Sequence, residues 1–328
     1  MKKFFQNFLL VLSSVILIFI LFEFVLRLIS FTPYKISYKE SPKIYKKDKI
    51  LGWDTKLGNY SFKLDETINI NYKFLMDGSR YSGKELDNSH NFEKIVLVGG
   101  SFTMGHKINN EDTLGYFLQE NFENYEIKNF GVGGYGTFQT YLKLKRIFEK
   151  IDNIKIVIYF FINHHEIRNI GDVTYLEKTS QSSKKRVYLP YASLDKNKNV
   201  VEHAPVKYFL LPFSNVSVLI SKIQKKIMRL IIKSEYSDKE LITKKLIIKM
   251  NDLSKKNNSK FIFVTLLSPN SKVKDYNKFS SDNNIIFLDC RIEDYHIYTS
   301  RKIDMHPNGL ANYQYSKCLK NFIYTYNN

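Results

Sequence analysis

The chain has 328 residues and a formal charge of +18, from 50 Lys and Arg against 32 Asp and Glu. With 44% hydrophobic and 15% aromatic residues, it holds too much apolar surface for an intrinsically disordered chain. Cys290 and Cys318 are its two cysteines, which excludes a disulfide-stapled miniprotein and leaves the redox compartment open. The basic residues are spread along the whole chain. Their densest stretch, residues 222–256, alternates with Ile and Leu at helical spacing, the pattern of a solvated helix face, so no nucleic-acid partner is expected.

Met1-Lys2-Lys3 precedes an apolar run from Phe4 to Phe22, interrupted by Gln6, Asn7 and two serines. Nineteen helical residues cover about 28 Å, close to the hydrocarbon thickness of a bilayer. Glu23 and Arg27 stand four apart and can pair on one helix face. A cleaved signal peptide wants a shorter core and a small-x-small cleavage site, whereas this run continues into Phe24-Val25-Leu26. Residues 1–31 therefore read as an uncleaved single-pass anchor. The short basic N-terminus places the remainder outside the cytoplasm, although lysines flank both sides of the span.

Residues 32–92 are polar and rich in Tyr and Lys, with short alternating pieces near 60–62 and 68–75 and a turn at Asp77-Gly78. They read as a membrane-proximal arm of strands and turns. From Lys94 the pattern changes. Ile95-Val96-Leu97-Val98 is a continuous β-branched and apolar run, the mark of a strand covered on both faces. Helix and strand patterns then alternate: a helix near 113–121, a strand at 125–130, a helix at 137–150 and a strand at 154–162. Strands at 261–267 and 285–288 and a closing helix at 308–322 complete the series. This alternation predicts an α/β fold, a three-layer α/β/α sandwich around a mostly parallel sheet, over residues 93–328. An insertion at about 170–258 interrupts it, with a hairpin across Asp195-Lys196-Asn197 and two amphipathic helices near 212–233 and 237–256.

Ligands of a doubly wound sheet sit beyond the carboxyl ends of its strands. Four polar groups follow strands here: Gly99-Gly100-Ser101, the turn from Gly131 to Gly136, Asn163-His164-His165, and Asp304 with His306. A nucleophile, a base, an orienting acid and oxyanion donors are the parts acyl transfer needs.

In these blocks the sequence resembles the SGNH (GDSL-type) hydrolases: VLVGGSFTMG around Ser101, NFGVGGYGTFQ around Gly134, FFINHHEIRN around Asn163 and DMHPNGLANY around His306. LGWDTKLGNY and MDGSR in the arm also look like membrane-anchored members. The resemblance implies an SGNH/flavodoxin-like fold with Ser101 as nucleophile, His306 as base and Asp304 as the acid orienting it. It assigns the oxyanion hole to the Ser101 and Gly134 amides and the Asn163 side chain. Three positions depart from the family. Gly100 replaces the Asp of G-D-S, Ile162 and His164 replace the Gly and Asp around Asn163, and Asp304 lies two residues before the histidine instead of three. A Ser–His dyad is the alternative if that spacing misplaces the carboxylate.

Other signals are weaker. Gly131, Gly133 and Gly136 spell a dinucleotide fingerprint, but no acid ends the next strand, so no nucleotide cofactor is expected. His106, His164, His165 and His306 lack metal-site spacing, and no metal is expected. One of His164 and His165 is expected to line the pocket, and His165 and Arg168 are the substrate-binding candidates. Arg168 reads first as half of a structural ion pair and second as a grip on an anionic substrate. The expectation is a membrane-anchored esterase or O-acyltransferase acting on acyl esters of an envelope glycan or lipid, with other envelope-assembly proteins as partners. The alternative is a non-catalytic polysaccharide-binding or assembly protein on the same fold.

Overall fold

The computed structural model describes the chain outside residues 39–42, 65, 67, 85–91, 302–303 and 328, with the side chains of 300, 301, 304 and 324–327 also outside the described set. The apolar leader forms one helix, α1 (Lys2–Leu28), long and apolar enough to cross a membrane and with no residue buried. Two antiparallel ladders follow: β1 (Tyr45–Asp48) with β2 (Gly52–Thr55), and β3 (Gly58–Lys63) with β4 (Asn69–Phe74).

The α/β part begins with β5 (Glu93–Gly99), α2 (Ser101–Met104), α3 (Leu114–Asn121), β6 (Tyr125–Asn129), α4 (Thr137–Phe148) and β7 (Ile154–Ile162). The short helix α5 (His165–Asn169) leads into α6 (Val173–Ser182), the hairpin β8 (Tyr188–Leu194) and β9 (Val200–Lys207), then α7 (Val218–Ile231) and α8 (Lys239–Lys256). The chain returns through β10 (Lys260–Leu267), α9 (Asn270–Asp282), β11 (Ile286–Asp289), the small pair β12 (Thr299–Arg301) and β13 (Asp304–Pro307), and α10 (Gly309–Asn327). Of these, α9 escapes the sequence pattern because only Val273, Tyr276 and Ser280 of its residues are buried.

The central sheet runs β11-β10-β7-β5-β6 with every pairing parallel. Strand β5 leads to β6 on one side and, through α4, to β7 on the other. The order therefore reverses between β5 and β7, and that reversal opens the crevice where ligands of open α/β sheets bind. Alternation along the strands feeds two cores. Ile95, Leu97, Ile158 and Phe160 pack under α3 and α10, and Val96, Val98, Val157 and Phe161 under α4, α8 and α9. Burial on both faces is why these strands carry unbroken apolar runs.

The arm is not a spacer. Trp53, Leu51, Ile70 and Tyr72 share a third apolar cluster with Tyr135 and Phe138 of the sheet domain and with Leu176, Tyr191 and Met228 of the insertion. Ion pairs fasten it to α4. Lys143 Nζ lies 2.8 Å from both oxygens of buried Asp54, and Arg146 grips Asp48 through both Nη atoms at 2.7 and 3.0 Å. That bidentate contact holds the Asp48 carboxyl down at about 2 against the upward push of its burial.

Candidate active site

Strand β5 ends at Gly99, where a β-carbon would sit 2.2 Å from Thr103 Oγ1 and 2.9 Å from Phe160 O. Only a glycine lets the chain turn this closely over β7, and the turn delivers Ser101 as the first residue of α2. Two braces hold α2 in place. Asn129, at the end of β6, donates to Thr103 O at 2.7 Å and accepts from the Gly131 amide at 3.0 Å. Arg80, from the arm and 1% exposed, donates to Met104 O and Ile108 O at 2.7 Å each, to Gly105 O, and to Asn110 Oδ1 at 3.1 Å. Burial lowers the Arg80 guanidinium to about 10, which still leaves it charged at neutral pH.

His306 arrives from the far end of the chain. It sits on β13, which pairs with β12 and is held by the Tyr295 hydroxyl donating to Met305 O at 2.8 Å. Its Nε2 lies 2.8 Å from Ser101 Oγ, across 205 positions of sequence. The imidazole packs on Phe102 at 5.6 Å and on His106 at 4.4 Å between ring centres. Asp304 occupies the start of β13, and its side chain lies outside the described residues. A disulfide joins Cys290, just past β11, to Cys318 on α10, closing the loop that contains His306.

Gly134 takes a left-handed conformation, φ +87, between the Tyr175 hydroxyl and the Trp53 ring. Its neighbours are pinned from the arm and from the insertion. Trp53 Nε1 donates to Gly133 O at 3.1 Å, and the Tyr175 hydroxyl donates to Gly134 O. Ser101, Gly134, His106 and His306 line one cavity of about 390 Å³, walled on its other sides by Tyr45, Tyr175 and the basic side chains of Lys107, Arg168, Lys178 and Arg186. Ser101 lies within the first turn of α2, whose amides have no intrahelical acceptor.

Of the remaining expected residues, Arg168 lines the cavity and Asn163 and His165 do not. Asn163 is half-buried at the exit of β7 and does not line this cavity; its backbone N–H donates to Leu267 O and its backbone carbonyl accepts from Glu166 N. His164 faces solvent. His165, expected on the substrate wall, is instead 1% exposed, with Nδ1 2.9 Å from the Tyr159 hydroxyl and Nε2 behind Gly100. Burial, with the Arg168 charge second, pushes its pKa well below the ordinary histidine value, so it stays neutral. Arg168 does line the cavity, donating to Tyr135 O at 2.9 Å, and makes no ion pair among the described residues. The structural pairing read for it first is therefore not formed there.

The sequence reading missed His106, Tyr175, Lys178 and Arg186 in the cavity wall. His106 had a local signal, since a four-residue helix followed by the left-handed Gly105 returns the chain over its own first residue. The other three come from the insertion and are placed by tertiary packing alone. Among the described residues, no cluster of His, Cys, Asp and Glu could hold a metal ion.

No protein-family model and no curated protein matches the sequence. Similar solved structures include an esterase and two proteins described as G-D-S-L family lipolytic proteins. The psychrotrophic esterase EstA from Pseudoalteromonas sp. is 11% identical over 72% of this chain and all of its own, with a TM-score of 0.42. A G-D-S-L family lipolytic protein from Veillonella parvula is 11% identical over 69% of this chain and 95% of its own, at 0.40. Its counterpart from Desulfitobacterium hafniense is 16% identical over 70% of this chain and 98% of its own, at 0.37.

Proposed function

We propose that this chain is a membrane-anchored serine esterase or O-acyltransferase acting on acyl esters of an envelope glycan or lipid. One observation carries the reading: His306 Nε2 lies 2.8 Å from Ser101 Oγ at the strand-order reversal of the sheet. That is hydrogen-bond reach for a general base on its nucleophile.

In this reading Ser101 Oγ attacks the ester carbonyl carbon as its proton passes to His306 Nε2. The resulting oxyanion is received by the Ser101 and Gly134 amides. Collapse breaks the ester C–O bond, and His306 returns the proton to the leaving alcohol, which leaves an acyl-serine. Water or a sugar hydroxyl then attacks that acyl group by the same route in reverse, so one intermediate serves hydrolysis and transfer. Asp304 would orient the imidazole, and Asn163 would be a third oxyanion donor only if its amide turned into the cavity. The anchor and the Cys290–Cys318 bridge support a site outside the cytoplasm, because such bridges persist in oxidising compartments.

The test is fluorophosphonate labelling and p-nitrophenyl acetate turnover by the full chain in detergent. Labelling should vanish in Ser101→Ala and turnover in His306→Ala. Labelling that persists in Ser101→Ala would refute the assignment, and a parent protein that neither labels nor turns over would favour a polysaccharide-binding or assembly role.

A further inference from the structure

Among the described residues, the wall of the Ser101 cavity holds cations and no carboxylate. Lys107, Arg168, Lys178 and Arg186 line it together with His106 and His306, and none of its described lining residues is Asp or Glu. Other cations that are withdrawn from solvent have carboxylate partners, as Lys143 has Asp54, Lys225 has Glu177 and Lys272 has Glu166. Arg168, Lys178 and Arg186 make no such pair among the described residues. The arginines spend few of their five donors on the protein. Arg168 uses Nη1 on Tyr135 O and Arg186 uses Nη2 on Ser182 Oγ, at 2.9 and 2.8 Å, while the Nε of each is buried without a partner.

Their placement brackets the reacting serine. A β-carbon built on Gly100, next to Ser101, would lie 3.6 Å from Arg168 Nη1, and one built on Gly134 would lie 3.4 Å from Arg186 Nη1. Both guanidiniums lie over aromatic rings, Arg168 over Tyr175 at 5.1 Å and Arg186 over Tyr45 at 4.9 Å. Fixed planar donors of this kind suit two-point recognition of a carboxylate or phosphate. The field reaches further: after burial, Arg168 and Lys178 are the causes that depress the His164 pKa.

We propose that this cavity selects esters bearing an anionic group, a carboxylate or a phosphate, close to the acylated hydroxyl, and that Arg168, Lys178 and Arg186 read that charge. The proposal rests on the esterase reading above and specifies its substrate class. An oxyanion forming at Gly134 also gains from the same field, but a neutral ester has nothing to offer the unused donors. A half-enclosed site with unpaired cations discriminates against that ester, because hydrogen bonds to charged groups are worth roughly 10- to 100-fold in binding.

The test uses the full chain in detergent and three acetyl esters on one scaffold: methyl 3-O-acetyl-galactoside, the matching galacturonate, and the matching galactoside 6-phosphate. Acetate release should favour at least one charged ester over the neutral one by about 10-fold or more in kcat/KM at low salt. The preferred arm identifies carboxylate or phosphate. The preference should shrink at about 500 mM salt, where screening acts within a few ångström, and again in Arg186→Gln and Lys178→Gln. Equal kcat/KM for charged and neutral esters in a protein that cleaves p-nitrophenyl acetate would overturn the selectivity while leaving the esterase reading intact. If neither these esters nor p-nitrophenyl acetate is cleaved, the esterase reading falls, and calorimetry on Ser101→Ala still decides the charge site. Galacturonate or galactose 6-phosphate should bind at least about 10-fold tighter than galactose, and equal affinities would overturn the proposal.

Discussion

Replacing Arg80 with lysine is the most direct test of the claim that the arm builds the site. Arg80 is buried, and its fork reaches three carbonyl oxygens just beyond Ser101, those of Met104, Gly105 and Ile108, as well as Asn110 Oδ1. It also stacks at 4.2 Å on the Tyr72 ring. A lysine ammonium keeps the charge but cannot span acceptors laid out for a planar fork. Losing one or two hydrogen bonds to a charged donor, at about 1.5–3 kcal/mol each, predicts a loss of about 1.5–6 kcal/mol. For a chain of this size that lowers Tm by roughly 2–9 °C. Arg80→Leu would strand all three carbonyls at about 1–3 kcal/mol apiece, a large share of a typical stability of about 5–15 kcal/mol. The assay is a thermal melt alongside p-nitrophenyl acetate turnover well below the melting range. Turnover should fall together with Tm, because these carbonyls fix the turn that sets Ser101 against His306. An Arg80→Lys protein that melts within about 1 °C of the parent and keeps its kcat would refute the reasoning.

Trp53→Phe keeps the arm's ring but deletes the donor to Gly133 O. A bond worth about 1 kcal/mol predicts a kcat drop of about 5-fold with little change in KM, read by steady-state kinetics. Reducing the Cys290–Cys318 bridge, or making Cys318→Ser, frees a loop of 28 residues' separation. Chain entropy sets the loss at about 3–4 kcal/mol, visible as a lower urea midpoint, whereas a midpoint indifferent to reductant would mean the bridge is not formed. Stability should also fall as pH drops below the ordinary histidine value. Buried His165 has its folded pKa lowered, so in acid the unfolded chain takes up a proton that the folded chain refuses. The slope is about 1.4 kcal/mol per pH unit for each such histidine, His164 and His203 adding smaller amounts in the same direction. His165→Asn should flatten Tm against pH between about 6.5 and 4.5, above the range where carboxylates such as Asp48 begin to protonate.

Much of this fold was legible because burial leaves a periodic trace. The runs 95–98, 154–162 and 261–267 are apolar without alternation since both of their faces are covered, and each proved a strand of the parallel sheet. Helix α9 left little trace, because it lies on the surface with three buried residues. The short strand β12 escaped for a different reason: it is fixed by pairing with β13 rather than by any apolar pattern of its own. At the site, Ser101 and His306 could be picked out because each stands in a local motif, Ser101 just past the end of β5 and His306 within Asp304-Met305-His306-Pro307. The cavity wall could not. Tyr175, Lys178 and Arg186 lie on or just after α6, in a stretch whose charges look like the rest of a lysine-rich surface. His165 misled in the opposite direction, since a histidine after a strand end reads the same whether it faces a cavity or supports the loop from behind.

The parts that the sequence presents as separate, leader, arm and insertion, are joined at the site. The arm pins Gly133 through Trp53 and the serine turn through Arg80, while the insertion pins Gly134 through Tyr175. The leader in turn is fastened to the insertion. The Glu23 carboxylate accepts from the amides of Val218 and Leu219 at 3.0 and 2.9 Å and from Ser217 Oγ at 2.9 Å, capping the first turn of α7. Arg27 pairs with Glu23 and donates to Val216 O at 2.6 Å. A carboxylate at a helix N-terminus complements both its unpaired amides and its dipole. Helix α1 therefore meets the globular part as a fixed strut, and α7 packs on α6, which carries Tyr175 and Lys178 into the cavity wall. Where α1 lies in a bilayer, this chain of contacts sets the direction in which the Ser101 cavity opens relative to the membrane plane.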